Sequence, residues 1–351
     1  MSRGISQEDL DHVAKLIGPC LSAWKGARIL VTGASGFVGS WLVETFHHVN
    51  KALNLGSQLV GVGAPTDDFA ARCPQLLGLD DVTMIRADTR RLVAEFHAQL
   101  PAWGDRIDAI IHAAIHVDSR TFDRQPLPTL ETAVMGTWEA LELARAANVR
   151  RFLFVSSGAI YGAQPRTSER LHEDDPVHLD CANYQSVYAE AKRVGETLCA
   201  GYLKEHGLPV TIARLFAFVG PHLPIDRHFA IGNFIRDALR GGPILIESDG
   251  TPLRSYLYAA DLAVWLWTIL FNGNLGRPYN VGSERAISLR DAAGLIAQIA
   301  PSDVEVRGAP ASGPASRYIP STERARRELG LSETVNLEDA LRRTLAWNGL
   351  S

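Results

Sequence analysis

Apolar residues along this chain gather in short runs set between longer stretches of helical spacing. After Arg28 the runs are Ile29-Leu30-Val31, Leu59-Val60-Gly61-Val62, Val82-Thr83-Met84-Ile85, Ala109-Ile110-Ile111 and Phe152-Leu153-Phe154-Val155. They are too short for helices and lack the apolar–polar alternation of a strand with one wet face, so they predict strands covered on both sides. Between them, about 37–49 reads as a helix, and Leu130, Val134, Trp138 and Leu141 recur at spacings of four, four and three on one face of another. Strict alternation of strand and helix predicts an α/β fold built on a doubly wound parallel sheet.

Ahead of the first strand, residues 1–26 read as a helical extension with Leu10, Val13, Leu16 and Ile17 on one face. Residues 27–215 carry the alternating pattern. Beyond them Pro221, Pro224, Pro243, Pro252 and the turn-rich stretch 307–320 break the rhythm. Residues 216–351 are therefore expected to build mainly a smaller substrate-binding lobe, with some chain returning to the sheet. Trp265 and Trp267 fall in an apolar helical stretch and read as core.

Composition narrows the partners. With 351 residues, 46% hydrophobic and 21% charged, the chain can bury an extensive core and is not disordered. Thirty-five basic against 39 acidic side chains give a net charge of −4, without the basic excess of a nucleic-acid binder. Cys20, Cys73, Cys181 and Cys199 form no C-x-x-C pair and read as reduced thiols. The most apolar segment, 262–271, is about half a membrane span, and the acid-containing N-terminus is unlike a secretory signal. A cytoplasmic chain with neither nucleic-acid nor membrane partner is expected.

Three constellations carry chemistry. After the first strand comes Gly33-Ala34-Ser35-Gly36-Phe37-Val38-Gly39, a G-x-x-G-x-x-G that opens a helix. Its glycines let the backbone approach a pyrophosphate, and the helix start offers unpaired N–H groups. Tyr188 and Lys192 lie four apart on one helix face, a spacing expected only about 0.1 times by chance with this chain's few lysines. An ammonium there is expected to lower the phenol's pKa toward working pH and make it an acid/base. Ser156 and Ser157 end the last apolar run, and ligands of parallel sheets bind at the carboxyl ends of strands.

Together these motifs resemble the extended short-chain dehydrogenase/reductases, the Rossmann-fold branch of nucleotide-sugar epimerases, dehydratases and reductases. The likeness spans about 27–347 and rests on TGASGFVG (32–39), Asp88, IIHAA (110–114), FVSSGAIYG (154–162), YAEAK (188–192), ARLFAFVGP (213–221), RSYLYAADLA (254–263) and YNVG (279–282). The resemblance implies Tyr188 as catalytic acid/base, Lys192 as its tuner and ribose holder, and Ser157 as the hydroxyl on the reacting oxygen. It implies NAD or NADP held by Gly33, Ser35, Gly36, Phe37, Val38, Gly39, Asp88, Thr89, Ala113, Ala114, Tyr188 and Lys192. A nucleoside-diphospho-sugar would lie against Ser157, Arg254 and Asn233, and a homodimer is implied. RLFAFVGPHLP, HFAIGNFIRDAL and TPLRSYLYAADLAVWLW resemble the CDP-abequose synthase-like 4-ketosugar reductases, which implies C4 reduction of a 4-keto-6-deoxy sugar nucleotide. A 4-epimerase, a 4,6-dehydratase and a non-catalytic nucleotide binder are the alternatives.

Departures from the pattern matter. Gly63 stands where many NAD-using relatives carry the ribose-reading Asp, so the sequence does not choose between NAD and NADP, and weak discrimination is expected. Gly158 and Ala159 follow Ser157 where dehydratases and decarboxylases place an acid; Glu173, Asp174 and Asp175 are the nearest substitutes in sequence. Ala133 and Ala217 replace Asn residues common among relatives. His112 and His116 have the spacing of a metal pair but sit in an apolar context, and no metal is expected. His222 and His228 lie in a Pro-rich loop able to border a substrate, and Tyr161 is as compatible with packing as with contact.

Overall fold

The computed structural model describes residues 4–104, 106–114, 125–165, 167–226, 229–310 and 313–350; His116 and His228 lie outside them. Five predicted runs become β1 (Arg28–Thr32), β2 (Gln58–Gly63), β3 (Val82–Arg86), β4 (Ala109–His112) and β5 (Arg151–Ser157). Two further strands, β6 (Val210–Leu215) and β7 (Pro278–Val281), complete one parallel sheet of order β7-β6-β5-β4-β1-β2-β3. That order is the doubly wound Rossmann arrangement with one added strand. Pattern alone did not reveal β6 and β7, because Thr211, Arg214, Pro278 and Asn280 interrupt their apolar text.

Helices cover both faces. On one lie α1 (Gln7–Ser22), α2 (Phe37–Ala52) and the fully buried α7 (Ala259–Asn272), whose Trp265 and Trp267 join Trp41 and Phe46 in the larger core. On the other, α3 (Leu92–Gln99), α4 (Pro126–Ala146) and α5 (Val187–His206) enclose Phe96, Leu141, Phe152 and Phe154. The lobe adds α6 (Ala230–Leu239), α8 (Leu289–Ile299), α9 (Glu323–Leu329) and α10 (Leu337–Trp347). Its strands are short: Phe218–Val219 pairs with Leu257–Tyr258, Ile244–Ile246 with Val304–Val306, and Leu253–Arg254 lies between Ile287–Ser288 and Arg317–Tyr318. Among the described residues no helix is long and apolar enough to cross a membrane.

Two helices turn a different face inward from the one their apolar spacing predicts. In α1 the buried line is Asp9, Val13, Ile17 and Leu21, four apart, and Leu16 is 39% exposed. Asp9 tolerates burial because its carboxylate accepts from the Tyr258 hydroxyl (2.8 Å) and the Arg343 guanidinium, which ties the extension to α10. In α4 the buried positions are small ones, Thr129, Ala133, Gly136, Thr137, Ala140 and Ala144, together with Leu141 and Leu143. Close approach selects them: a Cβ on Gly136 would stand 2.8 Å from the Thr89 hydroxyl. Trp138 is left 46% exposed.

Candidate active site

The site is built at the carboxyl ends of β1, β4 and β5. Gly33 has φ +73°, and its amide donates to Val62 O (2.8 Å) as β1 turns into α2. Side chains are excluded from this turn: a Cβ on Gly33 would lie 2.8 Å from Ala113 O, and one on Gly39 would lie 2.2 Å from Gly33 O. Gly36 caps α2 without a side-chain acceptor. The Phe37 and Val38 amides therefore have no partner within the helix, and with the helix dipole they form an anion-binding start that fits a pyrophosphate. Ala113 and Ala114 close the cradle, donating to Thr32 O (3.3 Å) and Thr32 Oγ1 (3.1 Å).

At the rim Asp88 caps the turn Thr89–Arg91 and holds the Arg90 guanidinium (2.7–3.1 Å), which keeps its carboxyl below the usual range. Beside the end of β2 stands an acid that sequence reasoning missed. A Cβ on Gly63 would stand 2.6 Å from Asp67 Oδ2, so the Asp67 carboxylate occupies the space a side chain of residue 63 would fill. It accepts from the Ser35 hydroxyl, the Ala64 amide (2.9 Å) and Arg72, while Arg86 donates to the Asp67 carbonyl. An acid absent from the end of β2 itself thus stands beside it, supplied by the following loop. Only its displacement by four residues hid it.

Across the crevice α5 carries Tyr188 and Lys192. The buried Lys192 Nζ donates to Val155 O (2.5 Å) and lies 5.0 Å from the centre of the Phe154 ring. Burial pushes it down to about 7. Burial also pushes the Tyr188 phenol up, and a hydrogen bond with the Ser157 hydroxyl pulls it partly back. The expected lowering of the phenol by the ammonium is therefore corrected: Lys192 is turned to the β5 backbone, and desolvation decides both groups. Ser157 itself accepts from the Ala159 amide (3.1 Å).

Arg254 pairs in register with Tyr318 on the small sheet, and its charge draws the Tyr318 phenol down against the rise caused by burial. Asn233, on α6, accepts from Arg236 (3.0 Å). Other sequence candidates serve the scaffold. Tyr161 is buried, donating to Asn280 (2.8 Å) and accepting from Arg214 (2.8 Å). His112 is shared between Thr32 (2.9 Å) and Thr137 (3.3 Å), and burial pushes it down to about 3. His222 does not border the crevice: it bonds Glu44 (2.8 Å) on α2 and packs on Trp347. Glu173 supports the Asn280 amide (2.9 Å), Asp174 holds Arg324 (2.6 Å) and Asp175 accepts from the His172 amide (2.8 Å), so these acids are committed away from Ser157.

A Rossmann sheet with a glycine cradle at one strand end and a serine, tyrosine and lysine at another defines a dinucleotide-binding enzyme of the oxidoreductase type. The chain belongs to the NAD dependent epimerase/dehydratase family, whose model matches residues 29–282. It is 29% identical over 319 residues to UDP-glucuronic acid decarboxylase 6 of Arabidopsis thaliana, covering 90% of this chain and 86% of that one. It is 29% identical to UDP-glucuronic acid decarboxylase 1 of Xenopus tropicalis, covering 91% and 71%. Among solved structures, the dTDP-glucose 4,6-dehydratase of Streptomyces venezuelae with NAD bound superposes with a TM-score of 0.78 at 25% identity, covering 91% and 96%. The UDP-glucose 4-epimerase of Thermotoga maritima gives 0.77 at 21%, covering 92% and 98%.

The Lys192 environment makes a prediction about stability. Its folded-state pKa near 7 lies below its ordinary 10.5, so between these values the unfolded chain holds more protons and the folded state gains stability as pH rises. Lys192→Met has nothing to titrate there. Denaturant unfolding from pH 7 to 10 should show wild type gaining stability relative to the variant, whereas a pH-independent difference would show that Lys192 is not desolvated.

Proposed function

We propose that this chain is an NAD-dependent oxidoreductase acting at C4 of a nucleoside-diphospho-sugar, reducing a 4-keto-6-deoxy sugar nucleotide. The observation that carries this reading is the triad around Ser157, with no acid one or two residues beyond it. Dehydration needs a group to protonate the leaving hydroxyl and another to take the C5 proton; Gly158 and Ala159 have no titratable atom, and Glu173, Asp174 and Asp175 are otherwise engaged. The same lack separates this site from the decarboxylation named for its relatives. A buried phenol with a raised pKa stays protonated near neutral pH, the state that reduction requires of an acid.

The nicotinamide cofactor supplies the hydride when bound. Tyr188 gives its proton to the C4 oxygen, and the Ser157 hydroxyl bonds the same oxygen where negative charge develops. Lys192 holds the ribose side of the cofactor from within the β5–α5 seam. Arg254 meets the diphosphate, a bidentate task suited to guanidinium, and Asn233 lines the sugar nucleotide. The relatives' names make uridine and thymidine diphosphates the first substrates to try.

The chain also forms a homodimer through α4 and α5. These helices pack side by side, with Trp138 edge-on to Tyr202 (6.2 Å), and leave Met135, Trp138 and Val194 exposed on one apolar surface. Trp138→Glu should convert dimer to monomer in light scattering behind gel filtration; an unchanged mass would place the interface elsewhere.

Incubated with a 4-keto-6-deoxy sugar nucleotide and NADH, the protein should oxidise the cofactor stoichiometrically. Tyr188→Phe should lower turnover by about 10²–10⁴-fold while leaving cofactor binding intact. Carbon dioxide from UDP-glucuronic acid, or a keto product from a nucleoside-diphospho-glucose, would overturn the assignment.

Asp67 decides the cofactor on the same reading. A carboxylate at the ribose accepts from a 2′-OH and repels a 2′-phosphate. NAD should bind at least tenfold more tightly than NADP by calorimetry. Asp67→Asn should shrink that ratio to a few-fold or less, because Arg72 is then released from its partner. Equal affinities in wild type would remove Asp67 from the ribose site.

A further inference from the structure

Ser157 is met by more than the tyrosine that the motif supplies. Its hydroxyl accepts from the Ala159 amide (3.1 Å), and two phenols share it, Tyr188 from α5 and Tyr318 from the C-terminal part of the chain, each drawn partly down by Ser157 against the rise caused by burial. The sequence gives Tyr318 no motif. The fold holds it firmly: its ring lies on Phe216 with centroids 4.7 Å apart, and its strand pairs with Leu253–Arg254. Gly158 makes room for it, since a Cβ at that position would stand 2.6 Å from the Tyr318 hydroxyl and 2.8 Å from the Phe216 ring. The space beside Ser157 that a side chain of residue 158 would need is thus taken by a phenol from the other lobe.

A serine hydroxyl has one proton to donate and two lone pairs to fill. We propose that Tyr318 is a positioning residue that donates to Ser157 Oγ, so that this phenol and the Ala159 amide fill both lone pairs and commit the Ser157 proton forward, to the Tyr188 oxygen in the free site and to the oxygen being reduced once substrate is bound. The inference rests on the reading of Ser157 as the hydroxyl that bonds the C4 oxygen. Hydrogen bonds in series polarise one another, so a phenol behind Ser157 makes it a stronger donor in front. Tyr318 itself neither gains nor loses a proton in the reaction. The lobe thereby reaches the reacting atom through one hydrogen bond.

Tyr318→Phe keeps the ring on Phe216 and removes only the hydroxyl. In the full chain labelled with ¹³C at tyrosine Cζ, the Tyr188 resonance, identified by its loss in Tyr188→Phe, should move when Tyr318→Phe is introduced. It should not move when the same change is made in a Ser157→Ala background. In steady-state turnover at C4, Tyr318→Phe should lower kcat about tenfold, the scale of one lost hydrogen bond, with KM and NAD affinity little changed. Added to Ser157→Ala, it should cost nothing further. A Tyr188 resonance indifferent to Tyr318, one that shifts equally without Ser157, or fully additive losses of kcat would each overturn the proposal. The resonance experiment needs no turnover, so a wild-type chain inactive at C4 counts against the proposed reaction alone, while the tyrosine spectra still decide the role of Tyr318.

Discussion

The site depends on how closely α5 lies on β5. Three positions along one face of the helix enforce that distance. Lys192 reaches the Val155 carbonyl, Gly195 has no side chain because a Cβ would stand 2.3 Å from the Phe154 ring, and Glu196 accepts from the Ser156 hydroxyl (2.6 Å). Glu196 then pairs with Arg214 on β6 (2.7 Å), which donates onward to Tyr161 and to the Glu173 carbonyl (both 2.8 Å). A buried ion pair of this kind adds little net stability over apolar packing, but removing either partner strands a charge, so its geometry is strongly enforced. Tyr188, one turn before Lys192, inherits its position over Ser157 from this seam.

The same seam sets the electrostatics. Desolvation outweighs the Ser157 hydrogen bond at Tyr188 and the neighbouring charge of Glu196 at Lys192, so the phenol is held protonated and the ammonium is easily neutralised. On the proposed reading, a phenol held protonated is the form that gives a proton to a developing alkoxide. His112, buried beside Lys192 and pushed down by its charge after burial itself, stays neutral and braces β1, β4 and α4 through two threonines.

Much of this was legible in the sequence, and the exceptions share a cause. Four of the five apolar runs became strands covered on both faces, which writes burial directly into composition, whereas β3 lies at the sheet edge with Thr83 and Arg86 exposed and was expected to be covered. The glycine turn and the Tyr188–Lys192 pair are local, with their spacing fixed by a turn or a helix, so they could be read without knowing the fold. Asp67 and Tyr318 could not, since Asp67 stands four residues beyond the position where an acid was sought and Tyr318 arrives by a close approach between distant segments, and each fills a space marked only by a glycine elsewhere. Gly63 and Gly158 looked like losses of an acid; in three dimensions each is the room made for another residue's oxygen. The face of α4 was misread for a related reason, because hydrophobic spacing finds large side chains whereas close helix packing selects small ones, such as Gly136 against Thr89; in α1 the inward line includes a buried acid, Asp9, that apolar spacing passes over.

The exchange at residue 158 bears on how one scaffold supports several reactions. On the proposed reading, an acid beside the catalytic serine would be the group able to break a bond beyond C4. Here Gly158 admits Tyr318, a group whose phenol is pushed well up by burial and is a poor base at neutral pH. On that reading, a phenol where a base would stand leaves elimination and decarboxylation without their base, while the Ser157, Tyr188 and Lys192 arrangement is held from the opposite side by the β5–α5 seam. Reaction choice and catalytic power are therefore assigned, on the same proposed reading, to different elements: the strand with Arg254 and Tyr318 to the choice of which bonds near C4 can break, and the sheet to the path of the proton to the C4 oxygen.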